Sequence, residues 1–96
     1  MLIITRVSDT PLVLRVSGDV DITNAGHFVD RILEHAEDAA ALTLDLSEMT
    51  YFDSTGIAAL SRLKHRFGDG LTIIPSPIVR RALEIVGLGD RFLSKR

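Results

Sequence analysis

Apolar and polar residues alternate with a period of two at the start of the chain and then switch to a helical period. Leu2 to Val7 and Leu12 to Val16 are short runs rich in Leu, Ile and Val, separated by Ser8-Asp9-Thr10-Pro11. Strand-like runs flanking turn residues predict an antiparallel hairpin. In the second run Leu12, Leu14 and Val16 share one face, and Val13, Arg15 and Ser17 share the other. From Thr23 onward Ala25, Phe28, Val29, Ile32, Leu33 and Ala36 recur at the i, i+3, i+4, i+7 spacing of an amphipathic helix. Leu42-Thr43-Leu44-Asp45-Leu46 returns to alternation, with its three leucines on one side. A second helix carries Ile57, Leu60, Leu63 and Phe67 and stops before Gly68-Asp69-Gly70; Leu71 to Ile74 is a further strand.

The third helix has the clearest punctuation. Ser76 is placed to cap it, and Pro77 sits at the first helical position, where its missing N–H costs nothing. Ile78, Val79, Ala82, Leu83 and Val86 form its apolar stripe. Gly87 suits the left-handed position beyond its end, with Leu88 folding back on the last turn.

The predicted order is β-β-α-β-α-β-α, with room for a short additional strand near Arg91–Leu93. Strands separated by helices imply parallel pairing through right-handed crossovers, and the opening hairpin adds an antiparallel edge. Arg15, Thr43 and Asp45 make one sheet face more polar than the other. The expected fold is therefore a single α/β domain over residues 1–96. Its mixed sheet has four to five strands, an antiparallel edge strand and helices mainly on one face.

Composition narrows the chemistry. Ninety-six residues suffice for one compact domain, and at 46% apolar the chain can build a core without staples. The absence of cysteine removes disulfides, thiolate catalysis and thiolate metal sites, and fits a cytoplasmic location. The net charge of −2, without a basic block, argues against nucleic acid as a direct partner. The apolar start Met1-Leu2-Ile3-Ile4 is too short for a signal peptide, and membrane insertion is not expected.

The informative stretch runs from Leu42 to Ile57. A strand ends near Leu46, a loop follows, and Asp53-Ser54-Thr55-Gly56 opens the second helix. Any of Asp53, Ser54 or Thr55 could cap that helix, and a plain cap accounts for the local pattern. A hydroxyl here has a second use. A helix N-terminus offers unpaired N–H groups and partial positive charge, which favour a phosphate by roughly 0.3–1 kcal/mol. Asp53, Asp19 and Asp21 oppose the extra charge, so a phosphate would change the sign balance of a docking surface.

Asp53-Ser54-Thr55-Gly56 followed by Ile57 and Leu60 resembles the phosphoacceptor segment of anti-sigma-factor antagonists, the STAS domain family. Gly18-Asp19-Val20-Asp21 is similar to that family's early Gly-[Asp/Glu]-Leu-Asp signature, and Ser76 to Leu88 resembles its last strong block. Together these segments cover nearly the whole chain in the right order. The resemblance implies that Ser54 is phosphorylated by a partner serine kinase that is also the anti-sigma factor, and that a phosphatase restores it. It implies that the unphosphorylated protein binds the anti-sigma factor and frees the sigma factor. It assigns Asp21 to the loop facing the acceptor, and Asp53 and Gly56 to the shape of the acceptor loop, with Asp19 and Thr55 in the same partner-binding surface. Two features depart from the family: Gly26 lies early in the first helix, and the chain stops soon after the third helix, where a last helix is usual.

Other chemistries fit less well. The aspartic protease signature has one residue between Asp and Gly, not two. A serine hydrolase would want a Gly-x-Ser-x-Gly elbow and a histidine base. Ser54 lacks the flanking glycines, and His27, His35 and His65 lack the i, i+4 spacing of a helical metal pair. Gly87-Leu88-Gly89 follows a helix and has no third glycine, so it is a helix stop and not a dinucleotide loop. No P-loop is present, and neither the acidic pair nor the late lysine of a receiver domain is found. The sequence thus reads as a non-enzymatic switch without cofactor or metal. Its main rival is an unphosphorylated STAS subunit of a lipid-transport complex or a sensory scaffold.

Overall fold

The computed structural model describes residues 1–92. Four strands, β1 (Ile3–Asp9), β2 (Leu12–Val20), β3 (Leu42–Phe52) and β4 (Leu71–Pro75), alternate after the first hairpin with helices. These are α1 (Ala25–His35), α2 (Ser54–Phe67), α3 (Pro77–Ile85) and the single turn α4 (Gly89–Phe92). The sheet order is β1-β2-β3-β4. β1 and β2 are antiparallel; β2, β3 and β4 are parallel.

Alternation sends Leu12, Leu14 and Val16 of β2, Leu42, Leu44 and Leu46 of β3, and Leu71 and Ile73 of β4 into one buried layer. The helices cover that face with Phe28, Val29 and Ile32 from α1, Leu60, Leu63 and Phe67 from α2, and Val79 and Leu83 from α3. Each fully buried leucine stabilises the fold by about 2 kcal/mol. A one-residue slip of β3 would turn three of them outward, so register is strongly specified. On the opposite face Arg15 and Asp45 stand directly across β2 and β3, and the Arg15 Nε donates to Asp45 at 3.1 Å. Asp45 is only 8% exposed. Burial pushes its carboxyl up, but bonds from Ser47 and from Arg15 outweigh this and hold it below the ordinary value.

Two expectations are corrected. β3 does not end near Leu46 but continues to Phe52. β3 carries one more residue than β2 between the pairs Arg15–Asp45 and Ser17–Glu48, and again between Gly18–Met49 and Asp19–Tyr51. These two bulges change the spacing of core residues from two (Leu42, Leu44, Leu46) to three (Met49, Phe52), and the alternation disappears although the strand persists. The neighbouring Gly18 has φ +109°, and a Cβ there would stand 2.0 Å from the Met1 carbonyl oxygen, so no other residue fits.

The short additional strand near Arg91–Leu93 is also not found among the described residues. Arg91 and Phe92 lie in the helical turn α4, and Leu93 falls outside the described residues. The cause is the end of α3. Gly87 takes φ +76°, its N–H donates to the Glu84 carbonyl, and Leu88 N–H donates to the Leu83 carbonyl at 2.8 Å. This reversal directs the chain into a further turn closed by Arg91 N–H on the Leu88 carbonyl. Ser76 caps α3 as its sequence suggests, accepting from Val79 N–H.

Candidate functional site

β2 and β3 run parallel and end level with each other, pairing Asp19 with Tyr51 and Val20 with Phe52. Val20 and Phe52 are buried and pin both strand ends to the core. The next residues, Asp21 and Asp53, therefore leave the sheet side by side. Each then makes the same turn. Asp53 Oδ1 accepts from the Thr55 N–H at 2.9 Å and from the Thr55 hydroxyl. Asp21 Oδ1 accepts from the Thr23 N–H at 2.9 Å and from the Thr23 hydroxyl. Two Asp-x-Thr turns thus lie next to one another, with Ile22 and Ser54 as their central residues.

The first turn is stapled further. Asn24 Oδ1 accepts from the Asp21 N–H, Asn24 Nδ2 donates to the Asp19 carbonyl, and the Asp21 carbonyl accepts from the N–H groups of Asn24 and Ala25. The second turn opens α2 directly. Asp53 is the residue that caps α2, and its carbonyl also accepts from Gly56 and Ile57 N–H. Asp53 wins over Ser54 and Thr55 because its carboxylate can reach both donors of Thr55 at once.

Ser54 is left at the first helical position, exposed, with a hydroxyl that bonds to none of the described residues. The N–H groups expected to cradle a phosphate are another matter. Those of Thr55, Gly56 and Ile57 already bond to Asp53, so that part of the sequence expectation is corrected. Gly56 has a packing reason to be glycine: a Cβ there would come within 2.5 Å of the buried Phe52 ring.

The electrostatics follow from this geometry. The Thr55 hydroxyl holds the Asp53 carboxyl below its usual range, helped by the Thr55 N–H and Tyr51. The Thr23 hydroxyl does the same for Asp21, against an opposing push from the Asp53 charge. Tyr51 donates its phenol to Asp53 Oδ2 at 3.3 Å, and the charges of Asp53 and, less strongly, Asp21 push that phenol up. Both carboxylates are therefore ionised at neutral pH, and the surface around Ser54 is acidic.

Asp53, Thr55 and Gly56 lie in the turn that carries Ser54, and Asp21 lies in the adjacent turn. Asp19 lies beside them at the end of β2, but its carboxylate takes the Met1 amine at 2.9 Å. Two site residues escaped the sequence reading. Tyr51 sat in a stretch that read as loop; only the bulged continuation of β3 gives it a face. Ile22 left a signal, a bulky apolar residue inside a polar turn and outside every periodic pattern. It lines a shallow groove between α1 and α2 with Ala25, Gly26, Thr55, Ala58 and Arg62. Among the described residues no group of three or more His, Cys, Asp or Glu is placed to hold a metal ion. His65 lies in the last turn of α2, about 16 Å along the axis from Ser54 at 1.5 Å per residue. No helix of the described residues is long and apolar enough to cross a membrane.

A four-stranded mixed sheet, helices on one face and a serine opening a helix after a parallel strand define a compact class of α/β domain. The STAS domain model matches residues 3–95, and the chain belongs to the STAS domain family. Among solved structures it is similar to an anti-sigma factor antagonist from Mycobacterium paratuberculosis. That match has 24% identity and a TM-score of 0.85, covering 100% of this chain and 87% of the other. It is also similar to the anti-sigma factor antagonist SpoIIAA in its unphosphorylated form, with 19% identity, a TM-score of 0.72, and coverage of 100% and 88%. No curated protein sequence matches the chain.

Proposed function

We propose that this STAS domain is an anti-sigma factor antagonist, a protein-binding switch with no catalytic activity of its own. Unphosphorylated, it binds an anti-sigma factor that is also a serine kinase; phosphorylated on Ser54, it lets that partner go, and a phosphatase resets it. The observation that carries this reading is the division of labour in the acceptor loop. Asp53 performs the capping and holds the Thr55 hydroxyl, which leaves Ser54 exposed with an uncommitted hydroxyl. A serine present only as a helix cap would be engaged with the backbone; this one is not.

The switch is electrostatic. A phosphate brings about −1.5 to −2 of charge to a surface that already holds ionised Asp21 and Asp53. A partner that binds the acidic, singly hydroxylated surface must then bury a hydrated dianion, which costs several kcal/mol without new cations. The deciding experiment incubates the protein with each anti-sigma serine kinase of the source organism and ATP. Intact mass and co-elution are followed together. Phosphate on the protein with loss of co-elution supports the switch; stable co-elution with no phosphate on any pair would indicate an unphosphorylated scaffold.

A further inference from the structure

We propose that Ile22 is the apolar anchor of the partner-binding surface, and that the phosphate on Ser54 acts by keeping water over it. This deepens the reading of the previous subsection and rests on it.

Ile22 is 82% exposed. It is held out by design of the loop and not by slackness. The backbone on either side is fixed by the Thr23, Asn24 and Ala25 donors on Asp21 and by the Asn24 side chain on Asp21 and Asp19. Val20, two residues earlier, is fully buried. The turn that fixes Asp21 therefore leaves Ile22 no route into the core. A rigid, exposed, branched side chain offers apolar area with little ordering cost on binding.

Its position ties it to the acceptor. Ile22 occupies in the first Asp-x-Thr turn the place that Ser54 occupies in the second, and the two turns leave adjacent strands at the same level. Ile22 and Thr55 line the same groove, whose other walls are the small residues Ala25, Gly26, Ala58 and Ala59 together with Arg62. Around it stand Asp21 and Asp53, both ionised. The occupant that this surface fits is one patch of the anti-sigma partner, apolar at its centre and rimmed by Arg or Lys side chains that pair with Asp21 and Asp53 and leave no cation free for a phosphate. The apolar centre meets Ile22 and the rim meets the carboxylates, the usual arrangement of a buried anchor within a polar ring.

Phosphorylation of Ser54 would then do two things at once. It adds charge, and it places a strongly hydrated group in the turn adjacent to the one that carries Ile22. The anchor is disabled without moving.

Calorimetric titration against the kinase that phosphorylates the protein tests this, with a urea melt for every variant. Ile22→Ala should bind at least about tenfold more weakly, the scale of one anchor residue, with an unchanged urea midpoint. Ile85→Ala serves as the control, because Ile85 is 73% exposed but lies on α3; its binding should match the parent. Binding of Ile22→Ala within twofold of the parent overturns the anchor while leaving the phosphorylation switch intact. So does sedimentation showing that the parent self-associates through Ile22, since a second copy would then be the occupant. If no anti-sigma kinase binds the parent at all, the proposed function falls and the anchor falls with it.

Discussion

One carboxylate oxygen of Asp53 accepts both the N–H and the hydroxyl of Thr55. The pairing distinguishes the two hydroxyls of the loop: that of Thr55 donates to Asp53, and that of Ser54 bonds to none of the described residues. Phosphorylating Thr55 would take its hydroxyl from Asp53, while the bond from the Thr55 N–H to Asp53 still caps α2; phosphorylating Ser54 breaks no bond among the described residues. Kinase treatment followed by site mapping should therefore find the phosphate on Ser54. Asp53→Asn should lower the melting temperature by a few degrees and allow some phosphate onto Thr55, because an amide oxygen holds the threonine less firmly. Phosphate mainly on Thr55 of the parent would reverse the assignment.

Gly56 is where the first turn of α2 meets the core. Its missing side chain lets α2 start directly over the Phe52 ring, where a Cβ would come within 2.5 Å. The ring is buried and cannot swing aside cheaply. Gly56→Ala should destabilise the domain by about 1–3 kcal/mol, the range for overpacking, despite alanine's better helix propensity. The urea midpoint reads this directly.

Gly26 makes the opposite case. It lies in α1, and a Cβ there would meet nothing within 4 Å. Gly26→Ala should stabilise the protein by about 0.5–1 kcal/mol through helix propensity and a less flexible unfolded chain. A lower urea midpoint for this variant would mean that α1 needs the glycine for a conformation the structure does not show.

The contrast between these glycines shows how far sequence reading reached. Element order, the antiparallel edge, the helix stripes, the Ser76 cap and the Gly87 stop follow from periodicity and from residues with restricted backbones, which act locally. β3 beyond Leu46 did not, because bulges opposite Ser17 and Asp19 depend on the partner strand and erase the period-two signal. That lost segment carries Tyr51 and sets Asp53 level with Asp21, so the geometry of the site was hidden although its motif was legible. The motif offered three candidate caps; only the arrangement of two donors around one carboxylate selects Asp53.

On the open sheet face the Arg15–Asp45 pair should govern part of the acid stability. Bonds from Ser47 and Arg15 hold the Asp45 carboxyl below its ordinary 3.8 in the folded state, against the push of burial. A depressed folded value means that the stabilisation is complete above the unfolded value and is lost as pH falls through the folded one. Asp45→Asn should cost about 1–2 kcal/mol at neutral pH and converge with the parent below pH 3.8. Asp21 and Asp53 are depressed too, so the difference between parent and variant across pH is the quantity to follow. A difference that stays constant into acid would mean that Asp45 does not couple folding to protons.

The strongest test of the switch separates stability from binding at Ser54. The position is exposed and opens a helix, where an added carboxylate is favoured by about 0.3–1 kcal/mol. Asp53 already occupies the nearby N–H groups and repels a second anion, so the two effects oppose. Ser54→Asp should accordingly keep its urea midpoint within about 0.5 kcal/mol of the parent, as surface substitutions do. Binding should respond far more. Desolvating a third carboxylate beside Asp21 and Asp53 costs several kcal/mol, and about 2.7 kcal/mol is already a hundredfold. Calorimetry against the anti-sigma kinase should show at least that loss for Ser54→Asp, and a larger loss for the true phosphoprotein, whose charge is about −1.5 to −2. Ser54→Ala should bind like the parent and no longer be released by ATP. Parent-like binding by both Ser54→Asp and the phosphoprotein would refute an electrostatic switch. An unfolded Ser54→Asp would mean that the serine is needed for the fold, contrary to an exposed hydroxyl that bonds to none of the described residues.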